Sequence, residues 1–260
     1  MIYLILGIII LLLTCYFVFF KKSTTAVSIN SPLPQNLKEQ LTQHIEFYRQ
    51  LDGDSKNRFE SLVQQFLNTT RIEGVGTEIT DQDRAMVASS AVIPVFGFPD
   101  WRYGNLTNVI LYPDTFDNDF QFEGENRNIM GMVGSGYMNG QMLLSRAALQ
   151  KGFSPQHGSG NTAIHEFVHL LDKADGATDG VPESLMQHSY AIPWLQLMHR
   201  EMHKIKSGKS DINPYALTNE AEFLAVAAEY FFEKPEQLKN KHPELYDTLS
   251  SIFQQSPAEK

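Results

Sequence analysis

The sequence predicts an α+β domain, mostly helical with a small sheet, preceded by an N-terminal transmembrane helix. Three observations predict this. Residues 1–20 hold no charged side chain and are almost all Ile, Leu, Phe, Tyr and Val. That run matches the ~20 residues a helix needs to cross a bilayer. Apolar stripes of helical period occupy much of the remainder, while the middle third shifts to short β-type runs punctuated by Asn, Asp and Gly.

Lys21 and Lys22 close the apolar run, with no basic start and no small-residue cleavage site. An uncleaved anchor is expected, and the lysines after it place the C-terminal side in the cytoplasm. Residues 21–34 read as a linker, rich in Ser, Thr and Pro from 23 onward. Leu37, Leu41, Ile45 and Tyr48 mark one amphipathic helix, and Phe59, Leu62, Val63, Phe66 and Leu67 a second. A third is predicted over 81–91, with Pro94 blocking its continuation. Val109 to Tyr112 is a β-type run. Asn139-Gly140 reads as a hairpin turn leading into a strand at 141–145. The Gly-rich stretch 131–140 lacks the G-K-[ST] ending of a phosphate loop.

Further helices are expected from Asn161 or Thr162, over 194–206, over 219–232 with Thr218 as cap, and from Pro235 onward. The chain of 260 residues is long enough for one domain with a sizeable core after the anchor. Its only cysteine, Cys15, lies in the apolar run, which removes disulfides and cysteine chemistry from the rest and fits a reducing compartment. A net charge of −9 without a basic patch argues against nucleic-acid binding.

The chemistry sits in His165-Glu166-Phe167-Val168-His169, an H-E-x-x-H pattern. On a helix, positions i and i+4 share a face, so two imidazoles can share one Zn²⁺ ion. Glu166 stands beside the first ligand, where a carboxylate can take a proton from a metal-activated water. Ile164, Phe167, Val168, Leu170 and Leu171 surround the triplet, so the helix is expected to be buried and its polar groups to need partners.

A catalytic zinc site needs a third protein ligand. Positions 172 and 175 hold Asp172 and Asp175, which excludes the H-E-x-x-H-x-x-G-x-x-H continuation, and a glutamate twenty residues on would fall at Ser189. His188, His199, His203 and Glu183 stay open at this point. So do Glu222 and Glu229, two turns apart on one face of an apolar helix.

The motif, with Leu171-Asp172 and Asp179-Gly180-Val181-Pro182 after it, resembles the MtfA (Mlc titration factor A) family of zinc-dependent peptidases. Pro214-Tyr215-Ala216, Ala221-Glu222-Phe223 and Glu229-Tyr230-Phe231-Phe232 match that family's second signature. The arrangement is also similar to the catalytic domain of anthrax lethal factor.

The resemblance implies a zincin-like, gluzincin-type peptidase domain over 35–254. It implies His165, His169 and Glu222 as zinc ligands, Glu166 as general base and Tyr215 as the hydroxyl facing the oxyanion. Asp172 and Glu229 would orient the imidazoles through their other nitrogens. The expected partners are a peptide or protein substrate, the membrane through residues 1–20 and a regulatory protein, with no nucleic acid. An extended substrate is expected to pair with a strand edge near 141–145. The alternative is a non-catalytic zinc-containing module that sequesters a regulator, its metal closed by a fourth ligand such as His188 or His199.

Overall fold

The computed structural model describes residues 32–124, 127–154, 160–186 and 190–259. They begin with three helices, α1 (Gln35–His44), α2 (Glu46–Gln50) and α3 (Gly53–Thr69). Asp52 caps α3 by accepting a hydrogen bond from Ser55 N at 2.8 Å. Strand β1 (Arg71–Gly74) follows, then α4 (Asp81–Val95). Thr80 and Asp83 close a reciprocal capping box at the start of α4.

Pro94 lies inside α4, where the sequence predicts a stop. It stands one residue from the helix end, so little ladder is left to break, and Gln255 Nε2 donates to the Ile93 carbonyl at 2.8 Å.

The sheet is completed by β2 (Asn108–Tyr112), β3 (Gly131–Val133) and β4 (Gln141–Ser145), in the order β1-β2-β4-β3. β1, β2 and β4 are parallel, and β3 joins β4 antiparallel with Met132 opposite Leu143. β4 is therefore paired on both sides, which corrects the expectation that residues 141–145 offer the open edge. The edge strand on that side is β3, and β1 is the edge strand on the other. Ser145 N donates to Met130 O and Gly134 N to Gln141 O. By antiparallel alternation, Gly131 and Val133 turn their backbone groups outward. One face of the sheet meets the main core. On the other, Tyr112, Phe116 and Leu143 form a small second cluster.

The C-terminal half is helical: α5 (Arg146–Gly152), α6 (Thr162–Asp172), α7 (Ala191–Lys206), α8 (Glu220–Glu233), α9 (Pro235–Lys241) and α10 (Pro243–Phe253). The segment after Pro235 divides because Pro243 has no N–H to extend α9 and restarts the chain as the first residue of α10. α6 packs against α4, α8 and β3. Phe167 anchors it, fully buried with its ring 5.7 Å from Phe66 and 5.3 Å from Tyr103.

Among the described residues, no helix is long and apolar enough to cross a membrane. The longest, α3, has 17 residues and an exposed polar face, short of the ~20 apolar residues a span requires. The most apolar, α8, has 14 and carries four glutamates. This overturns the expected transmembrane helix and the single-pass membrane location. The apolar run 1–20 on which they rested lies outside the described residues.

Candidate metal centre

Two capped helices bring the site together. Asn161 starts α6 by accepting from Ile164 N at 3.2 Å. Asn219, not Thr218, starts α8, its Oδ1 accepting from the backbone N–H of Glu222 at 2.9 Å. The cap thus fixes the first turn of α8, where Glu222 projects.

The loop after α6 clamps the two helices. Gly180 has φ 78° and lies so close to α8 that a Cβ would stand 2.4 Å from the Glu220 carbonyl oxygen. Its N–H donates to Asp172 Oδ2 (2.9 Å), and its carbonyl accepts from Trp194 Nε1 (2.7 Å). Asp179-Gly180 is therefore a joint between the two helices.

His165 Nε2 lies 2.9 Å from Glu222 Oε2 and 3.1 Å from His169 Nε2, and His169 Nε2 is 3.5 Å from Glu222 Oε2. Ligand atoms of all three residues lie within 4.8 Å of one another, so they could hold a metal ion. Four ligands at 2.0–2.1 Å around a tetrahedral ion stand about 3.3–3.4 Å apart, close to these separations. Two imidazole nitrogens and a carboxylate oxygen are also a donor set that suits a divalent transition metal. On both counts the residues fit an ion.

The surroundings favour it further. His165 Nδ1 lies 2.6 Å from Glu229 Oε1, which fixes the ring and leaves Nε2 for the centre. Glu229 is held in turn by the backbone N–H of Asn161, whose Nδ2 donates to Glu233. Burial opposes charge on His165, but the carboxylates of Glu222 and Glu229 outweigh it and push the imidazole well up. Burial alone would raise Glu222, yet His165 and His169 hold its carboxyl low, at about 2.

The partner expected for His169 is absent among the described residues. Its Nδ1 is buried without a hydrogen bond, as is Asp172 Oδ1. Asp172 turns its other oxygen to Gly180, and burial pushes its carboxyl up to about 6.

Glu166 is buried beneath β3. A Cβ on Gly131 would stand 2.7 Å from Glu166 Cγ and Oε1. Burial raises the Glu166 carboxyl to about 6 against the pull of His165 and His169. Tyr215 sits at the rim, 53 % exposed, its ring centroid 6.0 Å from that of His165. Asn213 Oδ1 accepts from its N–H and Thr218 Oγ1 donates to its carbonyl, fixing the turn that presents it. Burial and the charge of Glu222 push its hydroxyl up.

The five residues singled out in the sequence, His165, Glu166, His169, Tyr215 and Glu222, line one cleft of about 440 Å³ beside β3. His199 is not among them and pairs with Glu220 on the exposed surface. His188 lies outside the described residues. Sequence reasoning missed Gly131, whose contact with Glu166 leaves no local signal. It also assigned the cap next to Glu222 to Thr218, although Asn219 is an equally good capping type one position on.

A family model described as Glucose-regulated metallo-peptidase M90 matches residues 20–254. The chain belongs to this metallopeptidase family. Among the relatives of this M90 chain is an uncharacterized protein of Synechocystis sp., 28% identical over 233 residues, covering 85% of this chain and 84% of that protein. Mlc titration factor A of Enterobacter sp. (strain 638) is 28% identical over 226 residues, covering 81% and 83%. Mlc titration factor A of Klebsiella pneumoniae (strain 342) gives the same identity and coverage. Membership of the M90 family implies a metal ion and a peptide or protein substrate. His165, His169 and Glu222 are the described residues placed to hold such an ion.

Proposed function

We propose that this M90-family chain is a zinc-dependent peptidase in which His165, His169 and Glu222 hold the ion, Glu166 is the general base and Tyr215 faces the developing oxyanion. The observation that carries the reading is the convergence of the three ligand atoms beside a buried carboxylate, under the edge strand β3.

When bound, zinc supplies Lewis-acid polarisation of a carbonyl and acidification of a water. The chain's own residues do the rest. Gly131 and Val133 offer outward backbone N–H and C=O groups that align an extended peptide along β3. Glu166 accepts the water's proton on its carboxylate and returns it to the leaving amine. A carboxyl near 6 suits both halves of that transfer at neutral pH. The Tyr215 hydroxyl, kept protonated by its raised pKa, donates toward the oxygen that gains charge. Glu229 holds the His165 ring in place throughout.

Glu166→Gln tests this assignment. The variant should bind zinc as the wild type does and lose peptide hydrolysis by at least about a hundredfold. Hydrolysis at the wild-type rate with zinc in place would remove Glu166 from the mechanism.

The name of the relatives, Mlc titration factor A, raises a second reading, in which the domain holds a regulatory protein and its metal is structural. A structural zinc site is closed by four protein ligands. Among the described residues three converge, and His199, one candidate for the fourth, pairs with Glu220 on the exposed surface instead.

A further inference from the structure

We propose that Lys173 is a specificity-determining residue that selects peptides carrying an acidic side chain two or three residues on the N-terminal side of the cleaved bond. This rests on the peptidase reading above.

Lys173 follows His169 by four residues, about one helical turn, and lines the same cleft. Among the described residues lining that cleft it is the one Lys or Arg. Its Nζ donates to the Gly134 carbonyl at 3.0 Å and to Asn139 Oδ1 at 3.2 Å. Both acceptors are neutral oxygens. An ammonium has three donors, so one donor and the full charge remain for a ligand.

The nearest acids in sequence are committed elsewhere. Asp172 Oδ2 accepts from Gly180 N, and the two oxygens of Asp175 accept from Ala177 N and Glu183 N. The two hydrogen bonds also hold the Lys173 side chain along the end of β3. It is half-buried, where a charge is screened less than at an open surface.

The position along the strand gives the subsite. Glu166 lies against Gly131 at the start of β3, and Lys173 is bonded to Gly134 just past its end. Three residues of strand span about 10 Å. Antiparallel pairing is the more stable way to extend a sheet edge. A peptide paired that way runs from Gly134 toward Gly131, so its residues at Lys173 precede the scissile bond. A carboxylate there receives a charge-assisted hydrogen bond in a cleft whose other ionised side chains are the metal ligands and Glu166.

The test uses the zinc-loaded full chain and sets of peptides that are identical except for Glu, Gln or Lys at each position around the cleaved bond. Wild type should prefer Glu over Lys, two or three residues before that bond, by about tenfold or more in kcat/KM. Lys173→Met should flatten the preference and Lys173→Glu should reverse it, while Lys173→Arg should retain it. Loss of a merely structural tether would slow all peptides alike and reverse nothing. Equal cleavage of the Glu and Lys peptides by wild type, or a Glu preference that survives in Lys173→Glu, overturns the proposal. Cleavage of no peptide by the zinc-loaded chain overturns the peptidase reading and this proposal with it, a result distinct from unselective cleavage.

Discussion

Gly131 and Glu166 are in such close contact that one added methyl on the glycine would stand 2.7 Å from the Glu166 side chain. Atoms that close must move apart, and neither neighbour has room. Thr162 Cγ2 stands 2.9 Å from the same point, and Glu166 is buried. Gly131→Ala should therefore displace the carboxylate without touching a ligand. Peptidase activity should fall by about tenfold or more, with zinc content unchanged. Wild-type turnover in Gly131→Ala would show that the close approach has no part in catalysis.

Glu229 holds the ring of His165 through Nδ1 at 2.6 Å. Removing such a partner typically weakens metal binding by about 10–100-fold. Glu229→Gln should show that loss in competition with a zinc chelator, while its far-ultraviolet circular dichroism stays that of the wild type. Unchanged zinc affinity would mean that Glu229 does not orient the ligand.

Phe167 lies between the two histidines in sequence but faces the opposite way, into the core against Phe66 and Tyr103. Phe167→Ala should cost about 3–5 kcal/mol of folding stability, as truncation of buried aromatic side chains does. Urea unfolding of the zinc-free protein reads it. A loss below about 1 kcal/mol would mean that α6 is not anchored this way.

A second charge cluster, with His242 and Glu201 buried and Asp211 at the surface, ties α7, the loop before Tyr215 and the start of α10 together. His242 Nδ1 meets Glu201 at 3.0 Å, and its Nε2 meets Asp211 at 2.9 Å. The two carboxylates raise His242 above its ordinary 6.5, the Glu201 hydrogen bond first and against burial. Burial opposes ionisation of Glu201 and Asp211, but hydrogen bonds to His242 and lysines hold both below their ordinary 4.5 and 3.8.

The raised histidine stabilises fully below pH 6.5, and that contribution is lost as pH climbs through its folded value. The lowered acids stabilise above about 4.5, and that contribution is lost as pH falls. The stability gap between wild type and His242→Gln should thus be widest between about pH 4.5 and 6.5 and narrow as pH rises above that window. A gap that is flat with pH in urea titrations would contradict this.

The motif helix and its ligands were legible because their signals are local. Histidines four apart among apolar residues need only one helix to be placed together, and Asn161 marks its start. Glu222 needed a second helix and came from resemblance to a known family, since seven-residue spacing with Glu229 does not say which carboxylate faces the histidines. β1 and β3 were not legible. Arg71–Gly74 buries only Ile72, and Gly131–Val133 is three residues within a Gly-rich stretch, so neither shows a period. The open edge was consequently placed on β4. The expected hydrogen bond between Asp172 and His169 is not formed: one Asp172 oxygen accepts from Gly180 N, and the other, like His169 Nδ1, is buried without a partner. The apolar run at 1–20 promised a membrane span that no described helix provides.

The central claim is that Glu222 closes a zinc site begun by His165 and His169. Equilibrium zinc titration of wild type and Glu222→Ala tests it most directly. Wild type should bind one ion per chain, and Glu222→Ala should bind it at least about a hundredfold more weakly. Equal affinity in the two proteins would contradict the assignment and leave the third ligand to be found elsewhere.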